Sequence, residues 1–147
     1  MSARLELDPG PVGGAVAGRV AACLAARVGL SVGRVEDARL AAEAIAHHAG
    51  GAVRDTRLVL VLEPSAGELV IRATPLARGG AERLLRASAV PSLGPLVERL
   101  ARTRVDSQDD GEILVVELDA DGPAASAGPS ESGGRAGSAG PVSDAAP

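Results

Sequence analysis

The chain has 147 residues and a net charge of −4; its 15 basic residues are all arginine, set against 19 Asp and Glu, and Phe, Trp, Tyr, Lys and Asn are absent. That mild acidity excludes a basic footprint for nucleic acid, and the missing rings exclude base stacking on aromatic side chains. No apolar run approaches the roughly 18 residues that span a bilayer, the opening MSARLELDPG holds no signal-peptide segment, and the single Cys23 rules out an internal disulfide.

The expectation is a soluble, cytoplasmic bacterial protein with no nucleic acid and no membrane among its partners. Phe, Tyr, Lys and Asn share A/T-rich codons, so their joint absence reads as a GC-rich genome. The core must then be built from Leu, Val, Ile and Ala. A domain of roughly 115 residues still buries about two thirds of its unfolded surface.

Arg4 to Leu7 alternates polar and apolar residues, as a half-buried strand does, and Asp8-Pro9-Gly10-Pro11 breaks it. Val12, Val16, Val20, Leu24 and Val28 recur every four residues, predicting an amphipathic helix that ends at Gly29 and carries Cys23 on its apolar side as a small buried hydrophobe. Ser31 is the expected N-cap of a second helix. In that helix Val35, Ala38, Ala42, Ile45 and Ala49 share one face, and Gly50-Gly51 stop it. Glu36, Leu40, Glu43 and His47 cluster on nearly the opposite side, a face that reads as solvated, with Leu40 leaving room for a cleft or a partner.

The LVLVL run over residues 58–62 is short and bounded by polar residues, which favours strand. Being apolar on both faces, it is expected at the centre of the sheet, either covered on both sides or paired centrally. Pro64-Ser65-Ala66-Gly67 reads as a turn, and residues 68–73 as the returning strand of an antiparallel hairpin. A loop follows over 74–80, then one or two helical turns over 81–87. After Pro91 a stronger helix carries Leu93, Leu96, Val97 and Leu100 on one face. Residues 107–111 form a polar turn, and 113–118 a last, almost wholly apolar strand.

The order strand, helix, helix, strand, strand, helix, strand predicts an α/β two-layer sandwich, with a mixed, mostly antiparallel sheet covered by about three helices. The domain is expected over 1–119. From residue 120 to 147 the composition turns to Ala, Gly, Ser and Pro with one strongly apolar residue, Val142, so a disordered tail is expected.

Three stretches together resemble the anti-sigma regulatory factors of the GHKL superfamily, which have the histidine kinase-like ATPase fold. They are residues 11–30, residues 35–49 with Leu40-Ala41-Ala42-Glu43-Ala44, and residues 92–118. The resemblance implies a catalytic role for Glu43 in handling water, and it places His47 where active members hold the ATP-bound metal with asparagine. The adenine-contacting aspartate would fall near Pro75, with Gly79 the surviving glycine of that motif. The final glycine motif reduces to Gly94. Mg²⁺ prefers oxygen ligands, so an imidazole at position 47 is a poor substitute.

Glu43 reads more readily as a solvated carboxylate, since most charged residues are exposed. His47 and His48 do not share a helix face and make a poor chelate, so no metal site is assigned. Gly79-Gly80 can cradle a phosphate at a helix N-terminus or serve as a loop. The resemblance thus implies a regulatory protein, more a binder than a kinase, with no cofactor expected. Its partner would be a sigma factor or an anti-anti-sigma protein, or its own copy in a homodimer. The alternatives are an ATP- and Mg-dependent serine kinase of the same fold and an unrelated small α/β protein.

Overall fold

A computed structural model describes residues 1–122. The elements run β1 (Ala3–Leu7), α1 (Pro11–Arg27), α2 (Val32–His48), a 3-10 turn (Ala49–Gly51), β2 (Leu58–Ser65), β3 (Glu68–Leu76), α3 (Gly80–Ala87), α4 (Leu96–Leu100), β4 (Arg102–Gln108) and β5 (Gly111–Asp119). The strands form one five-stranded sheet in the order β1-β2-β3-β5-β4. All four pairings are antiparallel. The two-layer α/β sandwich is therefore present, and its sheet is antiparallel throughout rather than mixed. The tail expected over 120–147 lies, from residue 123 onward, outside the described residues.

Alternation along the strands assigns their faces. Leu58, Leu60 and Leu62 of β2, Leu69, Ile71 and Ala73 of β3, and Leu114, Val116 and Leu118 of β5 are buried against the helices. The other face is uncovered, and Val59, Val61 and Val70 are only half-buried there. The β2–β3 hairpin does lie inside the sheet, flanked by β1 and β5. The LVLVL run is nevertheless covered on one side only. On the open face one row reads Arg4, Val61, Arg72, Val115, Arg104 across the strands. Val115 is buried there between flanking arginines. Arg72 pairs with Glu63, and Arg104 with Glu117 at 2.6 Å.

Three local expectations are corrected. Pro64 belongs to β2, and the hairpin turns at Ala66-Gly67, where Gly67 takes the left-handed φ of 73° that favours glycine. The helix expected after Pro91 is only the single turn of α4, preceded by a turn in which Val90 and Gly94 bridge each other. The stretch after it is a fifth strand, β4, pairing from Arg102↔Glu117 to Gln108↔Gly111.

The first helix buries a different face from the one its valines mark. Val12 and Val16 are 78% and 42% exposed, and Cys23 is exposed rather than buried. A repeat of four residues drifts about 40° per step around a helix of 100° per residue, so the valine stripe winds out of the core. The buried face is instead Gly13, Gly14, Ala17, Gly18, Ala21, Leu24 and Ala25. These small residues let α1 lie close against α2. A Cβ on Gly18 would come within 3.2 Å of Arg39 O, and one on Gly14 within 3.1 Å of Glu43 O.

The predicted core face of α2 is confirmed, with Ala38, Ala42, Ile45 and Ala49 fully buried. Ser31 caps the helix as expected, its hydroxyl accepting from Arg34 N at 3.2 Å. No helix among the described residues is long and apolar enough to cross a membrane.

Candidate functional site

The face of α2 that carries Glu36, Glu43 and His47 is not simply solvated: α1 lies over part of it. Cβ atoms built on Gly14 and Gly18 would sit 3.3 Å from His47 Cβ and 3.4 Å from Glu43 Cβ respectively. Glu43 remains 39% exposed at its side chain, and its Oε1 accepts from Arg39 Nη1 at 2.9 Å. Arg39 also holds Glu36, donating from Nε to both carboxylate oxygens at 3.0 and 3.1 Å. That contact holds the Glu36 carboxyl below its ordinary pKa. The three side chains make a chain of charges one helical turn apart, the usual geometry of ion pairs along an exposed helix face. Glu43 is a member of this ladder, with an oxygen already committed to a cation.

His47 and His48 are both exposed, and their rings stack with centroids 4.6 Å apart and planes 8° from parallel. The two imidazoles therefore turn toward one another although their Cβ atoms leave the helix on different faces. Burial and the neighbouring His47 push the pKa of His48 down. Among the described residues no group of three or more His, Cys, Asp or Glu side chains is placed to hold a metal ion.

The two glycines that the resemblance singles out lie elsewhere. Gly79 is the N-cap of α3, with a left-handed φ of 72°. Its amide donates to Glu112 Oε2 at 2.9 Å, and the Ala81 amide donates to Glu112 Oε1 at 3.1 Å. One carboxylate thus spans the first turn of the helix, where amides and macrodipole favour a negative charge. These two amide bonds hold the Glu112 carboxyl below its ordinary pKa, with Arg83 and Arg78 adding to the effect and burial opposing it. The place where Gly79-Gly80 could cradle a phosphate is filled by the protein's own anion. The backbone there is tight as well: a Cβ on Gly80 would sit 2.6 Å from Ala52 O, and one on Gly111 2.2 Å from Leu76 O.

Gly94 stands beyond the other end of α3. Its φ is 81°, its N–H donates to Val90 O at 2.7 Å and its carbonyl accepts from Val90 N at 2.8 Å. It lines an apolar concavity of about 320 Å³ with Leu85, Ala89 and Pro95, rimmed by Glu82, Arg86 and Glu98. Gly79, at the far end of α3, does not line that concavity.

Pro75 lines a separate concavity of about 500 Å³ with Arg4, Glu6, Val59 and Thr74. These are side chains of the uncovered sheet face, whereas α2 packs on the covered one. The structure brings Glu43 and His47 together against α1. Pro75 also lines a small concavity of about 120 Å³ with Glu112, the carboxylate that holds the Gly79 amide, so Pro75 and Gly79 both neighbour that side chain, and Gly94 stands apart from them.

Sequence reasoning passed over two residues that organise this region. One is Glu112, visible as a lone acid at the head of an apolar strand, directly after an Asp-Asp-Gly turn. The other is Arg34, whose side chain is only 11% exposed. Its Nε donates to Asp119 O and its Nη1 to Leu100 O, both at 2.8 Å, and Nη1 also reaches Asp37 at 2.7 Å. It ties the start of α2 to the end of β5 and to the α4–β4 junction, and no local sequence pattern announces so distant a pairing.

Set against known proteins, the chain matches no family model, and no curated protein matches it.

Proposed function

We propose that this protein is a regulatory binding module built on the plan of the GHKL anti-sigma factors, acting by protein–protein contact and without kinase activity. Two helices after the first strand, a hairpin, then a short helical region and a closing pair of strands form a plan compatible with that resemblance. Glu112 is the observation that carries the non-catalytic half of the reading. Its carboxylate satisfies the Gly79 and Ala81 amides, which are the groups best suited to a nucleotide phosphate in the eroded loop. Glu43 is engaged by Arg39, and Pro75, where the resemblance puts an adenine-contacting aspartate, has no side-chain acceptor. Phosphoryl transfer needs such groups free to meet one substrate, and here they are already engaged or replaced. A scaffold that recognises another protein needs only surface.

The partner class is a sigma factor or an anti-anti-sigma protein. The test is direct binding of the purified chain to each such protein encoded near its gene. Saturable, stoichiometric binding that needs no nucleotide supports the reading. Phosphate transfer from ATP to a serine of the partner overturns it in favour of the kinase. Absence of binding to every one of them leaves the resemblance without a functional counterpart and sinks the anti-sigma assignment.

A further inference from the structure

The apolar concavity between α3 and α4 is a preformed hollow. Leu85 and Ala89 line one side and Gly94 and Pro95 the other, around about 320 Å³. That is at the lower end of the range for ligand sites, enough for one large side chain. Its wall is fixed before anything binds. Val90 and Gly94 exchange two backbone hydrogen bonds, of 2.8 and 2.7 Å, and Pro91 and Pro95 lock φ on either side of the turn. A preformed site spares a ligand the cost of ordering it. Leu93, 52% exposed, adds apolar surface at the tip of the same turn.

The charges on the rim are unequally engaged. Glu82 accepts from Arg86 at 2.6 Å. Glu98 pairs with no cation among the described residues, and its neighbour Arg99 does not line the concavity. The hollow runs along the second half of α3, where the negative end of the helix dipole also favours a cation. It therefore fits an apolar body with a positive charge beside it. Composition narrows the body further. Interface anchors are most often Trp, Tyr and Arg, and this chain has no Trp, Tyr or Phe. A ring that anchors a contact with it must come from the other molecule, and a concave site on this side is what such a ring needs.

We propose that this concavity is the docking site for a protein partner that inserts an aromatic side chain, with an adjacent lysine or arginine meeting Glu98. The inference rests on the binding-module reading and deepens it. It places the contact at the opposite end of α3 from the turn that Glu112 fills.

Without Trp or Tyr the protein has no tryptophan fluorescence, so the tryptophan of a probe reports binding unobscured. The probe is the capped tetrapeptide Ala-Trp-Arg-Ala, titrated with the full-length chain, and Ala-Trp-Glu-Ala is its charge-reversed counterpart. Burial of the indole should shift its emission to the blue, and the shift should saturate. The arginine peptide should bind about twofold to fivefold more tightly than the glutamate peptide, as one exposed ion pair allows. Glu98→Arg should reverse that order. Ala89→Leu, at an exposed position, should fill the hollow and abolish the shift with an unchanged circular dichroism spectrum. A shift that survives Ala89→Leu, equal affinity for the two peptides, or no shift up to about millimolar peptide overturns the proposal. Binding of a regulatory protein that Ala89→Leu leaves intact overturns this site alone, and the binding-module reading then stands with its contact elsewhere.

Discussion

Glu112 and Arg34 show how single side chains set the character of this domain. The carboxylate of Glu112 accepts from two amides at the start of α3, which keeps its folded-state pKa below the ordinary value of 4.5. A carboxyl depressed in this way contributes stability that is present above its unfolded pKa and is lost as pH falls through the folded value. Glu112→Gln should therefore flatten the acid limb of melting temperature against pH, and should cost about 1 kcal/mol at neutral pH, as loss of a helix cap does. An unchanged acid limb would show that the two amide bonds do not persist in solution. Arg34 donates to the carbonyls of Leu100 and Asp119 from a largely buried position. Removing a charged donor and leaving its acceptors unpaired costs about 1.5–3 kcal/mol, so Arg34→Ala should lower stability by that amount in urea unfolding with the m-value unchanged. A loss below about 0.5 kcal/mol, the range of ordinary surface substitutions, would contradict the clamp.

Among the elements, β2 gives the cleanest check of the layer assignment. Leu60 is fully buried under the helices, while Val61, its neighbour, faces the uncovered side between Arg4 and Arg72. Leu60→Asp should bury an unpaired carboxylate and abolish soluble expression. Val61→Asp should express with near-normal circular dichroism, because its carboxylate meets two arginines and solvent. The opposite outcome would reverse the faces of the sheet.

The same strand shows what was legible in the sequence. LVLVL marks a strand inside the sheet, yet Leu and Val count alike as apolar, so the run does not tell which residues face the helices. In α2 the stripe of Ala38, Ala42, Ile45 and Ala49 follows the true helical period and marks the buried face. In α1 the valines mislead because the real contact is made by glycine and alanine, which let two backbones approach closely and carry little hydropathic signal. Strand β4 was hidden because Arg102, Arg104 and Asp106 outweigh its two apolar-leaning positions, Thr103 and Val105. Its period-two alternation and the Asp-Asp-Gly turn after it were nevertheless present.

For the molecule as a whole, the question is whether scattered groups make a nucleotide site. Glu43 and His47 lie against α1, Gly79 caps α3 beside Glu112, Pro75 neighbours that same carboxylate, and Gly94 stands beyond the other end of α3. The identities of these residues were readable in the sequence. Their arrangement was not, because it depends on which face of α2 the first helix covers and on the carboxylate that Glu112 sends across from β5. On the proposed reading protein binding survives the loss of these groups and phosphoryl transfer does not, since holding the reacting groups together is a large part of what an active site contributes. Calorimetric titration of the full chain with ATP and magnesium tests this most directly. The expected result is no saturable heat below about millimolar ligand, which corresponds to a binding free energy weaker than about −4 kcal/mol. A micromolar dissociation constant that disappears in Glu43→Ala would contradict it and establish a nucleotide site that includes Glu43.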